Sequence, residues 1–413
     1  MKAILIICDG MADRPLKELR WRTPLEATKK PAMNRLARLG VSGIMDTISP
    51  GVPPGSDTAH LALLGYDPYK TYRGRGAFEA VGAGLDVKPG DVAFRFNFAS
   101  MNEDMVVIDR RAGRIGGDEA ARLAKSLETV CSNYSGVQVI CKHTVEHRGA
   151  LLLRGEGLSP EVSDSDPEEE GGKLRRVEPL RDTPEARRTA EILNDLSLSI
   201  YKALKNHPVN EERAQRGLHP ANVILLRGAG TLPQITPISQ LYGIKAACIV
   251  PSALVRGVAI SAGMKALPLP PCADGTTGTD AKAKAKVAVE NLRDYDFILI
   301  HVKGADNASH DGNLRQKQVM IRKIEGMVGF LLREVNLRDT YIALTADHAT
   351  PITVRGHAGD PVPVTIAGPE VVKDGLTGYS ERHCAKGGLG RIRGLDLMPI
   401  LMNLLGMTRK FGA

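Results

Sequence analysis

Aromatic side chains are scarce in this 413-residue chain: 4% of positions, with a single tryptophan. No RNP-like, zinc-finger or basic-aromatic pattern occurs, which argues against nucleic acid as a partner. Cysteines number six, and no Cys-x-x-Cys pair is present. That is neither a disulfide scaffold nor a zinc-ribbon pattern, so a reducing, cytoplasmic setting is expected. No apolar run approaches the roughly 20 residues needed to span a bilayer, so no membrane association is expected. The N-terminal stretch MKAILIICDG is cut short by Asp9 with no small-residue cleavage site after it, and reads as a buried strand rather than a signal peptide. Charge of one sign is lacking too, with 55 basic against 47 acidic residues and a net charge of +8. The basic residues are dispersed, and scattered arginines suit small anions such as phosphate or carboxylate. The remaining composition, 43% hydrophobic and 25% charged, is that of a globular protein of two or three domains.

What is present is a series of short aliphatic runs: Ala3–Cys8, Ala221–Leu226, Ala246–Val250, Phe297–Val302, Tyr341–Thr345 and Val362–Ala367. Continuous apolar runs of this length are what parallel strands buried on both faces look like. Helical patterns at Asn34–Leu39, Ala253–Met264 and Gln318–Val335 lie among them. The alternation predicts a doubly wound, mainly parallel α/β sheet. Between about Phe78 and Leu153 the pattern changes. Period-two segments at Val92–Phe98 and Met105–Asp109, an expected hairpin of Val137–Thr144 with Gly149–Arg154, and one helix at Gly117–Val130 read as α+β. The acidic stretch Ser163–Gly172 reads as a loop or flexible segment. A helix at Pro184–Asn206 then leads back to the parallel strands. The expected organisation is therefore an α/β domain, residues 1–75 and 211–413, interrupted by a smaller α+β domain at 76–210.

Acids and histidines fall where those strands end. Asp9-Gly10 follows the first run. Lys303-Gly-Ala-Asp306-Asn-Ala-Ser-His310 follows Phe297–Val302. Asp347-His348 follows Tyr341–Thr345, with His357 shortly after. Ligands of open α/β sheets bind at the carboxyl ends of strands. Asp306 and His310 are one helical turn apart and can face one point. So many acids and imidazoles sharing a cleft need compensation, and six such ligands suggest two divalent ions. Upstream, Pro53-Pro54-Gly55-Ser56-Asp57-Thr58 is a stiff turn opening a short apolar helix. Ser56 there is either a helix cap or a nucleophile at the positive end of the helix dipole.

Asp9-Gly10, PPGSDTAHLALLGYDP, GADNASHDGN, TADHATP and HAGDPVP, taken together and in this order, closely resemble the cofactor-independent phosphoglycerate mutases of the alkaline phosphatase superfamily. The length and the C-terminal segments Cys384–Gly390 and Gly394–Gly406 resemble the archaeal branch. The resemblance covers nearly the whole chain and implies an alkaline-phosphatase-like fold. It implies that Ser56 becomes phosphorylated. Asp9, Ser56, Asp347 and His348 would then hold one metal, and Asp306, His310 and His357 the other. It implies a role for Lys245 near the transferred phosphate. The metals would be manganese in the first place, with zinc, cobalt or magnesium as alternatives, and no 2,3-bisphosphoglycerate would be needed. The substrate would be 3- or 2-phosphoglycerate, and the resemblance is compatible with a homo-oligomer. Arg110, Arg111, Arg114, His147 and Arg148 are the nearest candidates for gripping substrate from the inserted domain, although the local motif differs from that of bacterial members. The segment Ala273–Asp280 resembles a glycine–threonine loop of the archaeal branch, without an assigned role. A related mutase or phosphotransferase acting on another small phosphate, phosphopentomutase-like or homoserine-kinase-like, would carry the same metal residues. A metal-stabilised scaffold without turnover would need no nucleophile at position 56.

Overall fold

A computed structural model describes residues 1–131 and 134–412, with the side chains of 129–131 left aside. The chain divides into two compact units, Met1–Tyr72 with Gln234–Ala413, and Arg73–Pro233. The strands are β1 (Lys2–Cys8), β2 (Gly40–Asp46), β3 (Val92–Met101), β4 (Val107–Asp109), β5 (Gln138–Val145), β6 (Arg148–Arg154), β7 (Val223–Gly230), β8 (Ala246–Ile249), β9 (Lys265–Ala266), β10 (Phe297–Val302), β11 (Thr340–Thr345), β12 (Val362–Ala367) and β13 (Gly390–Arg393).

The first unit is an eight-stranded sheet in the order β13-β2-β12-β11-β1-β10-β8-β9. β1, β8, β10, β11 and β12 are almost wholly buried, as their unbroken apolar sequence requires. β12 alone runs against the others, antiparallel to both β11 and β2. This corrects the expectation of a parallel strand at Val362–Ala367. No helix lies between β11 and β12, and without a crossover the chain can only turn back beside the strand it has left. One result is that the whole connection from Ala346 to Pro361 stays at the carboxyl edge of β11. β2 and β13 are rich in glycine or charge and carry little apolar signal.

The second unit holds an antiparallel sheet, β4-β3-β6-β5, with β7 paired to β3. Period two on β3 sends Phe94, Phe96 and Phe98 into a core with Leu123, Leu127, Leu193 and Leu196 from helices Gly117–Cys131 and Pro184–Lys205. Ala93 faces the other way, onto Ala77 and Ala80 of helix Gly76–Gly82. The run beginning at Ala221 forms β7 of this antiparallel sheet rather than a parallel strand of the main one. The expected boundary near 210 therefore lies inside the second unit, which extends to Pro233. The acidic stretch is irregular but fixed: Ser165 hydrogen-bonds across to Leu226 at 2.8 and 3.0 Å, and Asp166 is fully buried.

Candidate active site

Seven of the first unit's strands share one direction, so the residues that follow them gather at one edge. Asp9 follows β1, the segment Lys303–His310 follows β10, and Asp347-His348 follows β11. β12 enters from that edge, bringing His357, and Ser56 lies on the segment after β2. Gly10 adopts φ +64°, and a Cβ there would meet the Asp306 Cα at 2.8 Å. The bare glycine lets the end of β1 lie against the helix Gly304–His310 that carries Asp306.

Backbone groups turn the acids. Asp347 Oδ1 accepts from Gly10 N at 3.2 Å and His348 N at 3.0 Å, which leaves Oδ2 with no hydrogen-bond partner. Asp9 Oδ2 accepts from His301 Nε2 at 3.1 Å and Lys303 Nζ at 3.0 Å, and Oδ1 is left without a partner. The Thr350 hydroxyl donates to Asp306 Oδ1 at 3.0 Å, so its oxygen accepts from His348 Nδ1 at 3.0 Å. His348 Nε2 then carries a lone pair, 3.4 Å from Asp9 Oδ1 and 3.3 Å from Asp347 Oδ2. Asp9 Oδ1 and Asp347 Oδ2, buried acceptors with no donor converging beside that lone pair, are a fit for a cation. One ligand atom each from Asp9, Asp347 and His348 lies within 4.8 Å of the others.

A second convergence surrounds Asp306. His310 Nδ1 donates to Arg355 O at 2.9 Å and His357 Nδ1 to Pro54 O at 2.7 Å, since a carbonyl can only accept. Their Nε2 atoms face Asp306 Oδ1 at 3.2 and 3.5 Å. The rings of His348 and His357 stack at 3.6 Å, joining the two groups. Lys303 Nζ also joins them, bridging Asp9 Oδ2 and Asp306 Oδ2, the latter at 2.9 Å.

The electrostatics follow from this crowding. Burial pushes Asp347 up, as do Asp9 and Asp306, so its carboxyl sits well above the usual range. Burial also pushes Asp9 and Asp306 up, but Lys303 and the neighbouring histidines, His301 at Asp9 and His310 and His357 at Asp306, together outweigh it and hold both low. Burial lowers His348 to about 3. Three acids held this way with neutral imidazole beside them are the setting a divalent ion relieves.

Ser56 is the first residue of helix Ser56–Leu63, and Gly55 is its N-cap. The capping contacts go elsewhere: Thr58 Oγ1 accepts from Gly55 N at 3.1 Å, and Asp57 Oδ1 from Thr58 N at 3.0 Å. Ser56 Oγ takes no part in capping. It lies instead 3.4 Å from His348 Nε2, 7% exposed. Of the two readings open for Ser56 in the sequence, the cap is therefore the one the geometry does not support.

Lys245 is a correction. It precedes β8, so it lies at the amino edge, exposed, with its N–H bonded to Asp296 Oδ2 at 2.9 Å. The lysine among the acids is Lys303, which follows its strand. Lys245→Ala is accordingly expected to leave kcat/KM within about twofold of wild type, the range of an ordinary surface substitution; steady-state kinetics check this.

Sequence reasoning also missed Thr350 and the buried pair His60 and His301. His301 sits inside an apolar strand and His60 inside an apolar helix, where nothing local distinguishes them from core.

In the second unit, His147 and Arg148 belong to a basic cluster. Arg95 on β3 lies opposite Ala150 of β6 and Arg227 of β7. Burial together with Arg75, Arg148 and Arg227 lowers Arg95 to about 9. Burial, then Arg148, Arg111, Arg95 and Arg114, lowers His147 to about 3. Arg95 Nε, Arg148 Nε and His147 Nδ1 are buried without a hydrogen-bond partner. Arg95 was missed because period two made it read as one residue of an ordinary strand. Arg110 departs from expectation: it is tied to Asp166 by two bonds of 2.9 and 2.8 Å, so its charge is already answered. Arg111 and Arg114 are exposed.

Fold and site together define an α/β protein with an acid–histidine centre at the carboxyl edge of a mainly parallel sheet. The family model for 2,3-bisphosphoglycerate-independent phosphoglycerate mutase matches residues 37–210. The chain is 48% identical over 412 residues to 2,3-bisphosphoglycerate-independent phosphoglycerate mutase 1 of Methanocaldococcus jannaschii, covering 100% of this chain and 99% of the relative. It is 49% identical over 417 residues to the enzyme of that name, without the numeral, from Ignicoccus hospitalis, covering 100% and 99%. Among solved structures it resembles a Pyrococcus horikoshii protein, with TM-score 0.87, 39% identity and coverage of 100% and 99%. It also resembles the cofactor-independent phosphoglycerate mutase of Thermoplasma acidophilum, with TM-score 0.68, 35% identity and coverage of 98% and 100%. The chain belongs to the 2,3-bisphosphoglycerate-independent phosphoglycerate mutases.

Proposed function

We propose that this protein interconverts 3-phosphoglycerate and 2-phosphoglycerate, a step of glycolysis and gluconeogenesis, through a phosphoserine at Ser56. The observation that carries the reading is Ser56 Oγ, spared from capping and buried against His348 where the unpartnered oxygens of Asp9 and Asp347 converge. Full-length relatives bearing the mutase name support the substrate.

Asp9, Ser56, Asp347 and His348 would hold one divalent ion, and Asp306, His310 and His357 a second, with manganese the first choice for such a mixed oxygen and nitrogen set. Bound there, such ions lower the pKa of the serine hydroxyl and neutralise charge on the phosphoryl oxygens. The rest is done by the chain. Ser56 Oγ gives up its proton and attacks phosphorus as the bond from phosphorus to the substrate's oxygen breaks, and that oxygen leaves on glycerate and takes up a proton. Glycerate stays bound and reorients. Its other hydroxyl then attacks the phosphoserine and frees Ser56. No 2,3-bisphosphoglycerate enters this sequence.

The inserted unit is read as the substrate-holding part, and the guanidinium groups of Arg95 and Arg148, whose Nε atoms are buried without a hydrogen-bond partner, as its anion site. A charge-assisted hydrogen bond contributes about 1.5–3 kcal/mol, so Arg148→Met is expected to raise KM for 3-phosphoglycerate by about one to two decades. Initial-rate kinetics read this directly, and an unchanged KM would move the anion site elsewhere. The function itself is tested by an enolase-coupled assay on 3-phosphoglycerate with Mn2+ and no 2,3-bisphosphoglycerate. Formation of 2-phosphoglycerate supports the reading; release of glycerate and phosphate alone would make the protein a phosphatase.

A further inference from the structure

Two fully buried histidines lie beneath the site and take no part in the chemistry above. His301 is on β10, level with Ile7 of β1, and so sits just below Asp9. Its Nε2 is 3.1 Å from Asp9 Oδ2. A carboxylate can only accept, so the hydrogen is on Nε2, and Nδ1 is left bare and unpartnered. His60 packs edge-on against it, with ring centroids 5.1 Å apart and planes at 67°. His60 Nδ1 donates to the carbonyl oxygen of Ser56 at 2.6 Å. One ring thus grips the acid after β1, its neighbour grips the backbone of the nucleophile, and the two brace each other.

The brace is anchored from behind. The ammonium of Lys284, fully buried, donates to His301 O at 3.2 Å and to Asp274 O at 2.8 Å. Asn307 Nδ2 holds Gly275 O at 2.9 Å, and Lys323 Nζ holds Thr277 O and Thr279 O at 2.8 and 3.0 Å. The glycine–threonine loop 273–280 is therefore fastened both to the helix bearing Asp306 and, through Lys284, to the strand bearing His301.

We propose that His301, braced by His60, is a positioning residue that occupies Asp9 Oδ2 and so keeps Oδ1 turned toward Asp347 and His348 for the ion. The inference rests on the metal reading given above. Without the N–H of His301, the carboxylate can rotate and present either oxygen, and the ordering must be supplied by the ion. Lys303 alone does not replace it, because the same ammonium is shared with Asp306.

The test is metal binding rather than turnover. Calorimetric titration of metal-stripped protein with Mn2+ should show two ions in the wild type. In His301→Ala one site should weaken by about 10–100-fold, as outer-sphere partners of metal ligands do, and the other should hold. His301→Gln, which can restore an N–H toward Asp9, should recover most of that loss. The Co2+ absorption spectrum should change in the Ala variant and return in the Gln variant. Should the Ala variant not fold, His301→Leu fills the space without supplying a donor and takes its place. Wild-type affinity at both sites in a variant lacking the donor would overturn the proposal, as would equal losses in Gln and Ala. So would a third ion, lost with His301, since a ring nitrogen from each of His60 and His301 and an oxygen of Asp347 lie within 4.8 Å of one another. A wild-type protein that takes up neither Mn2+ nor Co2+ would instead refute the metal reading itself.

Discussion

Replacing Ser56 by Ala should abolish turnover while leaving the fold and most of the metal in place. The substitution removes the oxygen read as taking the phosphoryl group and, with it, one of four side chains read as holding the first ion. Gly55, Asp57 and Thr58 cap the helix without it. Losing even about 5 kcal/mol of transition-state stabilisation is nearly four decades in rate. Six other side chains remain to hold ions, so elemental analysis of the Ala variant should still find metal. Ser56→Cys keeps a nucleophile but changes its affinity and reach, and little activity should return. Near-normal turnover by the Ala variant in the enolase-coupled assay would refute the serine mechanism even with the metal sites intact.

The second large effect is at Asp347. Its Oδ2 is buried without a partner beside Asp9 and Asp306, and a divalent ion is what answers that charge. Asp347→Ala should remove most of the metal from the site with Asp9 and His348. A rise of about 4 kcal/mol in the barrier would cost about three decades of turnover. His357→Ala should act the same way on the site around Asp306. Chelation should silence the wild type, and Mn2+ or Co2+ should restore it. The variant should not fail by unfolding, because removing one of three crowded carboxyls relieves repulsion in the metal-free protein. Its metal-free melting temperature should match or exceed that of wild type. Full activity in a preparation shown by elemental analysis to hold no metal would end this reading.

Most of the site's acids and histidines were legible because of chain direction. A buried parallel strand is a continuous apolar run, and whatever follows it lands at the carboxyl edge. Asp9, Asp306 and Asp347 are thus read from local sequence alone. Lys245 fails by the same rule: it precedes its strand, and only Lys303 follows one. The direction of β12 was hidden because it depends on how the chain crosses from β11, not on the strand's own residues. His301 and Arg95 were hidden for another reason. Each sits at an ordinary strand position, and its importance comes from what the neighbouring strand presents to it: Asp9 beside His301, and Arg227 and Arg148 near Arg95. Such pairing is a property of register, which a single sequence does not display. The acidic loop at 163–172 was legible as irregular, but not as fixed, because its order comes from Arg110 and Leu226, distant in sequence.

In the proposed reaction the phosphoryl group travels on Ser56. This is tested most directly by mixing radiolabelled 3-phosphoglycerate with the Mn2+-loaded wild-type protein, quenching in acid and mapping the peptides. Acid-stable label on the peptide carrying Ser56, formed without 2,3-bisphosphoglycerate and absent from Ser56→Ala, is the predicted result. Acid-labile label on a histidine, or turnover that begins only when 2,3-bisphosphoglycerate is added, would contradict it.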